Sequence, residues 1–275
     1  MIYLSAFADE ISPDLETQIE FLRSENIHFV DFRSAWNTNV LDLSDEQVIQ
    51  ARELLNSKGI QVAAIGSPIG KVPIDTPFEE YMQRFERALA VAEMFNTHYI
   101  RIFSFYPASN QPDTVAHREK VLHFLHEMTA RASAAHVTLL HENEKDIYGD
   151  TITHNVDLLQ SIDHPSFRAA LDPANYLQCQ QVPYPDAYEA VRPWLSYVHV
   201  KDVTPDGTLV VAGEGAARWR ELLQRLRDDG YSGYLALEPH LAISGKYQGF
   251  SGTDLFRRAA HALQGLLHEM QWEYD

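Results

Sequence analysis

Val137-Thr-Leu-Leu-His-Glu142 is a short apolar run that ends on a side chain able to hold a metal ion, and the same design recurs three times further along the chain. Phe167-Arg-Ala-Ala-Leu runs into Asp172, Leu195-Ser-Tyr-Val into His199, and Tyr234-Leu-Ala-Leu into Glu238. The four tips are separated by 30, 27 and 39 residues, each close to the length of one strand plus one helix. Consecutive parallel strands at that spacing bring their tips to one rim. A Glu, Asp, His, Glu set converging there has the composition of a divalent-cation site. A lone strand-end carboxylate is ordinarily a helix cap or a solvated charge, but four in phase point to shared chemistry.

Outward from these runs, short β-like segments alternate with longer amphipathic stretches through the whole chain. Strands are expected near Tyr3–Phe7, Phe29–Arg33, Gln61–Ile65, Tyr99–Ser104, Val137–Glu142, Arg168–Asp172, Tyr197–Lys201 and Tyr234–Glu238. Helices are expected near Asp14–Glu25, Asp45–Ser57, Phe78–Phe95, Val115–Ala135, Ile152–Ser161, Tyr184–Val191, Arg218–Asp228 and Asp254–His268. Ser12-Pro13, Ser44 with Gln47, and Thr76-Pro77 read as helix-start signals. Eight such pairs in 275 residues describe an α/β protein with one domain over residues 1–275, a single (β/α)8 barrel. An open nucleotide-binding sheet would want a glycine-rich turn after its first strand, where this chain has Ala6-Phe-Ala-Asp-Glu-Ile-Ser-Pro-Asp14.

Composition narrows the partners. An excess of 39 acidic over 22 basic residues leaves a net charge of −17, which repels phosphate backbones and anionic lipid and argues against nucleic acid and membrane surfaces. The single cysteine, Cys179, excludes an internal disulfide and fits a reducing compartment. The opening MIYLSAFADEIS lacks the basic and apolar segments of a signal peptide, so a cytoplasmic location is the expectation. The expected partner is a small molecule, with association into a homo-oligomer left open.

Three carboxylates and one imidazole suit Mn²⁺ first, with Mg²⁺, Co²⁺ or Zn²⁺ as alternatives. Four protein ligands leave two positions of an octahedron for a sugar carbonyl and its neighbouring hydroxyl. Chelation of that kind acidifies the adjacent carbon-bound hydrogen. Alternation along a strand gives Glu144, Lys201 and His240 the facing of Glu142, His199 and Glu238, which makes them substrate-contact candidates. Arg101 could reach a substrate oxygen or serve in an internal ion pair. His141 has the opposite parity and is expected behind the barrel wall. Trp36, Phe105, Tyr106 and Tyr176 could wall a sugar face or belong to the core. Gly213-Glu214-Gly215 reads as a loop closing over the site; as an anion-binding turn it carries its own opposing glutamate.

Taken together, SAFADEIS (5–12), HENE (141–144), ALDPAN (170–175), YVHVKD (197–202) and LALEPHL (235–241) resemble the sugar isomerase/epimerase superfamily of xylose isomerase-like TIM barrels. The resemblance spans nearly the full length and is specific in the second half. It implies a metal held by Glu142, Asp172, His199 and Glu238, with Glu142 and Glu238 on opposite faces of a ketose as the catalytic acid/base pair. Many members of that superfamily carry histidine where this chain has Asn175, which can hydrogen-bond a substrate but cannot carry a proton. The superfamily also holds apurinic endonucleases whose three-zinc sites need histidines in segments that here read AAIGSP, FSFYP and DVTPDGTLVVAGEGA, all without one. The expected activity is therefore a divalent-metal-dependent isomerase or epimerase of a ketose or related polyol through an enediolate. The alternative is a dehydratase (lyase) of an inosose-like or keto-sugar substrate.

Overall fold

Eight parallel strands make one sheet in the computed structural model, which describes residues 1–108, 115–244 and 247–275. They are β1 (Tyr3–Ala6), β2 (Phe29–Phe32), β3 (Gln61–Ile65), β4 (Tyr99–Ile102), β5 (Thr138–Glu142), β6 (Phe167–Leu171), β7 (Leu195–Val200) and β8 (Tyr234–Leu237). Hydrogen bonding runs β2-β3-β4-β5-β6-β7-β8-β1, and β1 and β2, at the two ends of this ladder, lie side by side. The sheet is thus curled into a nearly closed barrel. Outside it lie α1 (Leu15–Ser24), α2 (Asp45–Ser57), α3 (Phe78–Phe95), α4 (Val115–Ala134), α5 (Ile152–Ile162), α6 (Pro173–Gln178), α7 (Tyr188–Val191), α8 (Trp219–Asp228) and α9 (Gly252–Glu269). Among the described residues no helix is long and apolar enough to cross a membrane.

Helix starts follow local chemistry. Ser44 and Gln47 form a complete capping box at α2, a device worth about 1 kcal/mol. At α1 the cap is Asp14, accepting from the Thr17 amide at 2.9 Å, and Ser12 instead accepts from the Asp14 amide. Thr76 does not cap α3; its hydroxyl turns back to the Pro73 carbonyl at 2.7 Å. The helix expected over Tyr184–Val191 is real only from Tyr188, because Tyr184 is extended within a wide turn over Pro183–Ala187. A helix that periodicity did not reveal, α6, begins at the β6 tip, where the Asp172 carboxylate accepts from the Asn175 amide at 2.9 Å and Pro173 opens the first turn.

Two packed regions result. A large apolar jacket fills the space between sheet and helices, while a smaller cluster of Phe7, Ala64, Leu140, Ala170, Tyr197 and Ala236 fills the barrel interior. Its three alanines, on β3, β6 and β8, leave room for long side chains from neighbouring strands. The lower interior is aromatic, with Tyr3, Tyr99, Tyr197 and Tyr234 in mutual ring contact. Asp31 is buried among them, accepting hydrogen bonds from the Ser5 hydroxyl at 3.3 Å and from the Tyr197 hydroxyl.

Burial pushes the Asp31 carboxyl up to about 6, against the opposing pull of the His199 charge, the Tyr197 hydroxyl and Arg101. A carboxyl raised in the folded state from an ordinary 3.8 contributes stability that is present below pH about 4 and lost as pH rises through about 6. Asp31→Asn removes that loss. In chelator, the wild type should therefore fall relative to the variant between about pH 3 and 7, by on the order of 3 kcal/mol, in denaturant unfolding at each pH. Parallel curves for the two proteins would show that Asp31 does not titrate there.

Candidate metal centre

At the C-terminal rim the four strand tips converge. One ligand-capable atom each from Glu142, Asp172, His199 and Glu238 lies within 4.8 Å of every other, and all four residues are buried. His199 Nδ1 is 3.2 Å from Glu142 Oε1 and 3.6 Å from Glu238 Oε2. The set fits a cation on a direct test. Glu142 Oε2, Asp172 Oδ2, His199 Nδ1 and Glu238 Oε2 are all buried and have only ionic neighbours, such as Lys201 Nζ 2.7 Å from Asp172 Oδ2 and Arg101 3.3 Å from Glu142 Oε2. Three carboxylates and one imidazole drawn this close together in a buried place, with lone pairs that only ionic neighbours serve, have the donor chemistry of a cation site.

Electrostatics carry the same signature. Burial and the nearby Glu142 and Glu238 charges push Asp172 up to about 6 even though Lys201 Nζ stands 2.7 Å away. Burial also works against the charged forms of Glu142 and Glu238, but there the cations win. His199 and Arg101 hold Glu142 down at about 2, and Lys201, His240 and Arg101 hold Glu238 well below the carboxylate range. Burial depresses His199, and Glu142 more than restores it, so its pKa is raised.

The remaining expected residues occupy distinct places. Lys201 and Asp202 are both buried, not the solvated pair that bare sequence allows. Lys201 bridges Asp172 and Glu238, at 2.7 and 3.5 Å. His240 Nε2 is 3.5 Å from Glu238 but 3.1 Å from Glu10, and although burial works against its charged form, Glu10 and Glu238 leave it raised to about 9. Glu144 stands at the mouth in an ion pair with Lys71 at 2.8 Å, away from the four-residue cluster. Arg101 reaches both Glu142 and Glu238, at 3.3 and 3.2 Å. Asn175 directs its side-chain amide to Glu142 Oε1 at 3.1 Å and the Asn143 carbonyl at 2.9 Å, so it holds a glutamate in place. His141 is buried with Nδ1 against Asn155 at 3.2 Å. Phe105 and Tyr176 are fully buried core; the ring beside the cluster is Phe7, edge-on to His199 at 5.2 Å.

Several contributors carried no sequence signal. Arg33 directly follows the second strand and ion-pairs Asp9 at 2.8 Å and Glu238 at 2.9 Å. Asn143 grips the backbone of Asp172 at both ends, amide to Oδ1 at 2.9 Å and Nδ2 to carbonyl at 2.8 Å, fixing the β6 tip against β5. Glu10 accepts from the His240 amide and the Ser251 hydroxyl, both at 2.9 Å, linking the first and last loops of the barrel. The loop around Gly213-Glu214-Gly215 does bind an anion, and the anion is internal. The Asp202 carboxylate takes the amides of Val203, Gly213, Gly215 and Ala217 at 2.9 to 3.1 Å.

Fold and rim together define a (β/α)8 barrel with a cation-competent centre at the C-terminal ends of its strands. The chain belongs to the xylose isomerase-like TIM barrel family, whose model matches residues 19–264. It is similar to a 3-dehydroshikimate dehydratase of Bacillus anthracis, 24% identical over 70% of this chain and 75% of the relative. It is also similar to a D-psicose 3-epimerase of Enterocloster bolteae, 23% identical over 79% of this chain and 77% of the relative. Among solved structures, a xylose isomerase-like TIM barrel protein from Mycobacterium smegmatis in complex with magnesium shares the fold, with a TM-score of 0.73 at 16% identity over 98% of this chain and 96% of the other.

The Asp202 bracket leaves no room at Gly215, where a Cβ would fall 2.1 Å from Asp202 Oδ1. Gly215→Ala should cost at least about 2 kcal/mol in thermal or denaturant unfolding. Gly265, inside α9 with nothing within 4 Å of an added Cβ, is the control, and Gly265→Ala should stabilise by about 0.5–1 kcal/mol. Equal effects of the two replacements would remove the bracket from the argument.

Proposed function

We propose that this chain is a divalent-cation-dependent enzyme that abstracts a proton from the carbon beside a carbonyl of a polyhydroxylated substrate. The observation that carries the reading is the convergence of Glu142 and Glu238 with Asp172 and His199, all buried, with one ligand-capable atom of each within 4.8 Å of the others. Mn²⁺ is the cation that best suits a set of three carboxylates and one imidazole, and Mg²⁺ or Co²⁺ would use the same atoms. When bound, the cation polarises the substrate carbonyl and stabilises negative charge developing on its oxygen.

The protein's residues supply the rest. Glu142 and Glu238, from strand tips on different sides of the centre, act as the base that removes the carbon-bound proton and the acid that returns one. The Asn175 amide fixes Glu142 through Oε1, leaving Oε2 to work. Lys201, between Asp172 and Glu238, positions a substrate oxygen and offers it a hydrogen bond. Return of the proton to the opposite face gives an epimer, and return to the neighbouring carbon gives an isomer. Expulsion of a β-hydroxyl from the same deprotonated substrate gives a dehydration, and similarity to a dehydratase as well as to an epimerase supports keeping that outcome as the second reading.

Saturating Mn²⁺ should raise the melting temperature by relieving the carboxylate crowding, a gain of about 2.7 kcal/mol at a hundredfold excess over the dissociation constant. Asp172→Asn should abolish most of it. A melting curve indifferent to Mn²⁺ and to chelator would count against the centre.

In D₂O with Mn²⁺, a converted ketose or inosose should gain deuterium beside its carbonyl, read by NMR. Glu142→Gln and Glu238→Gln should each lose on the order of 10²–10⁴ in rate, with metal content measured for both. Full turnover by both metal-loaded variants would overturn the acid/base assignment, and a new enone absorbance would select the dehydratase.

A further inference from the structure

One wall of the rim carries a ladder of cations and rings. Arg33 and Arg101 both lie over the Phe7 ring, at 5.0 and 4.7 Å from its centroid, and Arg101 also lies over Phe103 at 5.0 Å. Lys71 covers Phe103 in turn, at 4.2 Å. The chain omits side chains to allow this. A Cβ at Gly66 would stand 2.9 Å from both Phe7 and Arg33, and one at Gly70, where φ is +92°, would stand 2.0 Å from the Phe103 carbonyl oxygen.

The charges of this ladder are matched unevenly. Arg33 has Asp9 as well as Glu238, and Lys71 has Glu144. The carboxylates on Arg101 are Glu142 and Glu238, both members of the candidate ligand set, and its Nε has no hydrogen-bond partner. The Arg101 side chain is only 5% exposed, so water cannot compensate it. A cation seated among the ligands draws on the same carboxylate oxygens and adds two positive charges beside the guanidinium. A buried guanidinium whose counter-charge is withdrawn in this way needs another anion.

We propose that the Arg33–Arg101 wall is a carboxylate subsite, and that the substrate of the metal-loaded protein carries a carboxylate beside its carbonyl-bearing part; this rests on the metal-dependent reading above. Planar guanidiniums pair with planar carboxylates through two parallel hydrogen bonds. Both guanidiniums are held over the Phe7 ring, so little freedom is lost on pairing. Lys71, 33% exposed at the mouth, draws the anion inward past a protein of net charge −17. The loop read from sequence as an anion-binding turn offers no separate seat for a phosphate, because its Gly213 and Gly215 amides are occupied by Asp202.

The test uses the Mn²⁺-loaded full chain and three probes that share a ketose head, namely D-fructose, D-fructuronate and D-fructose 6-phosphate, with binding measured by calorimetry. D-fructuronate should bind about tenfold or more tighter than the other two, and the ratio should shrink as salt rises from roughly 0.05 to 0.5 M. Arg101→Gln should collapse the ratio toward unity while Mn²⁺ binding, followed by the EPR signal of the free ion, is kept or strengthened, since a competitor for the ligand oxygens has gone. Joint loss of both would show that Arg101 is structural and would overturn the assignment. Lys71→Gln, at the surface, provides a second variant and should weaken the salt-sensitive part of the preference. Mn²⁺ binding with equal affinity for D-fructose and D-fructuronate sinks this inference alone. Preference for the phosphate ester overturns the carboxylate in favour of a phosphate. Absence of Mn²⁺ binding to the wild type sinks the metal-dependent reading and this inference with it.

Discussion

Three carboxylates buried side by side are the constraint to which the rest of the rim answers. Glu142, Asp172 and Glu238 would repel one another strongly in a dry interior, and the structure surrounds them with Arg33, Arg101, Lys201 and His199. Three of these cations are themselves placed by something further out: Arg33 by Asp9, Arg101 by its rings, and His199 by its strand, which Lys201 directly follows. The outcome is a centre whose geometry is determined by charge matching as much as by apolar packing. That rigidity suits the proposed role of holding an ion without rearrangement.

The half of the barrel that presents the four clustered side chains was the more legible half. In β5 to β8 the apolar run, the tip residue and the interval all repeat, so strand parity alone assigns Lys201 the same facing as His199, and the structure has Lys201 buried against Asp172. Arg33 and Glu10 were invisible for the opposite reason. Their contacts span more than 200 residues of sequence, Arg33 to Glu238 and Glu10 to His240, and no local pattern marks such pairs. Asn143 was hidden by its neighbours, since it lies between two glutamates and does its work on the backbone of another strand. Periodicity missed α6 because a helix of Pro173–Gln178 is too short to show a repeat. Its signals are the cap, Asp172, which the ligand reading had already taken, and Pro173 after it. The same residue serves both ends: one oxygen starts the helix and the other faces the centre.

Asp202 shows how a polar residue can look like surface and belong to the interior. Its carboxylate occupies the cup of amides that glycines at 213 and 215 make available, so the loop after β7 is wound around a charge contributed from the strand end. Nest-like amide arrangements are usually read as seats for a phosphate. Here the seat is filled from within the fold, and the loop's shape is set before any ligand arrives.

The clamp of Glu10 on His240 and Ser251 has a bearing on the order in which the molecule can be completed. β1 hydrogen-bonds to β8 along its length, and the setting of Glu238 depends on Arg33 and on His240, which Glu10 grips. During synthesis the ribosome releases β1 early and β8 late, so the first strand must wait, with its paired edge uncovered, for more than 200 residues. The seam is therefore the slowest contact to form and the one on which a half-made chain is most exposed to strangers. The contacts that set Glu238, from Arg33 and through the Glu10 grip on His240, do cross that seam, so the fourth tip takes its final place only in a ring that has closed in the right register.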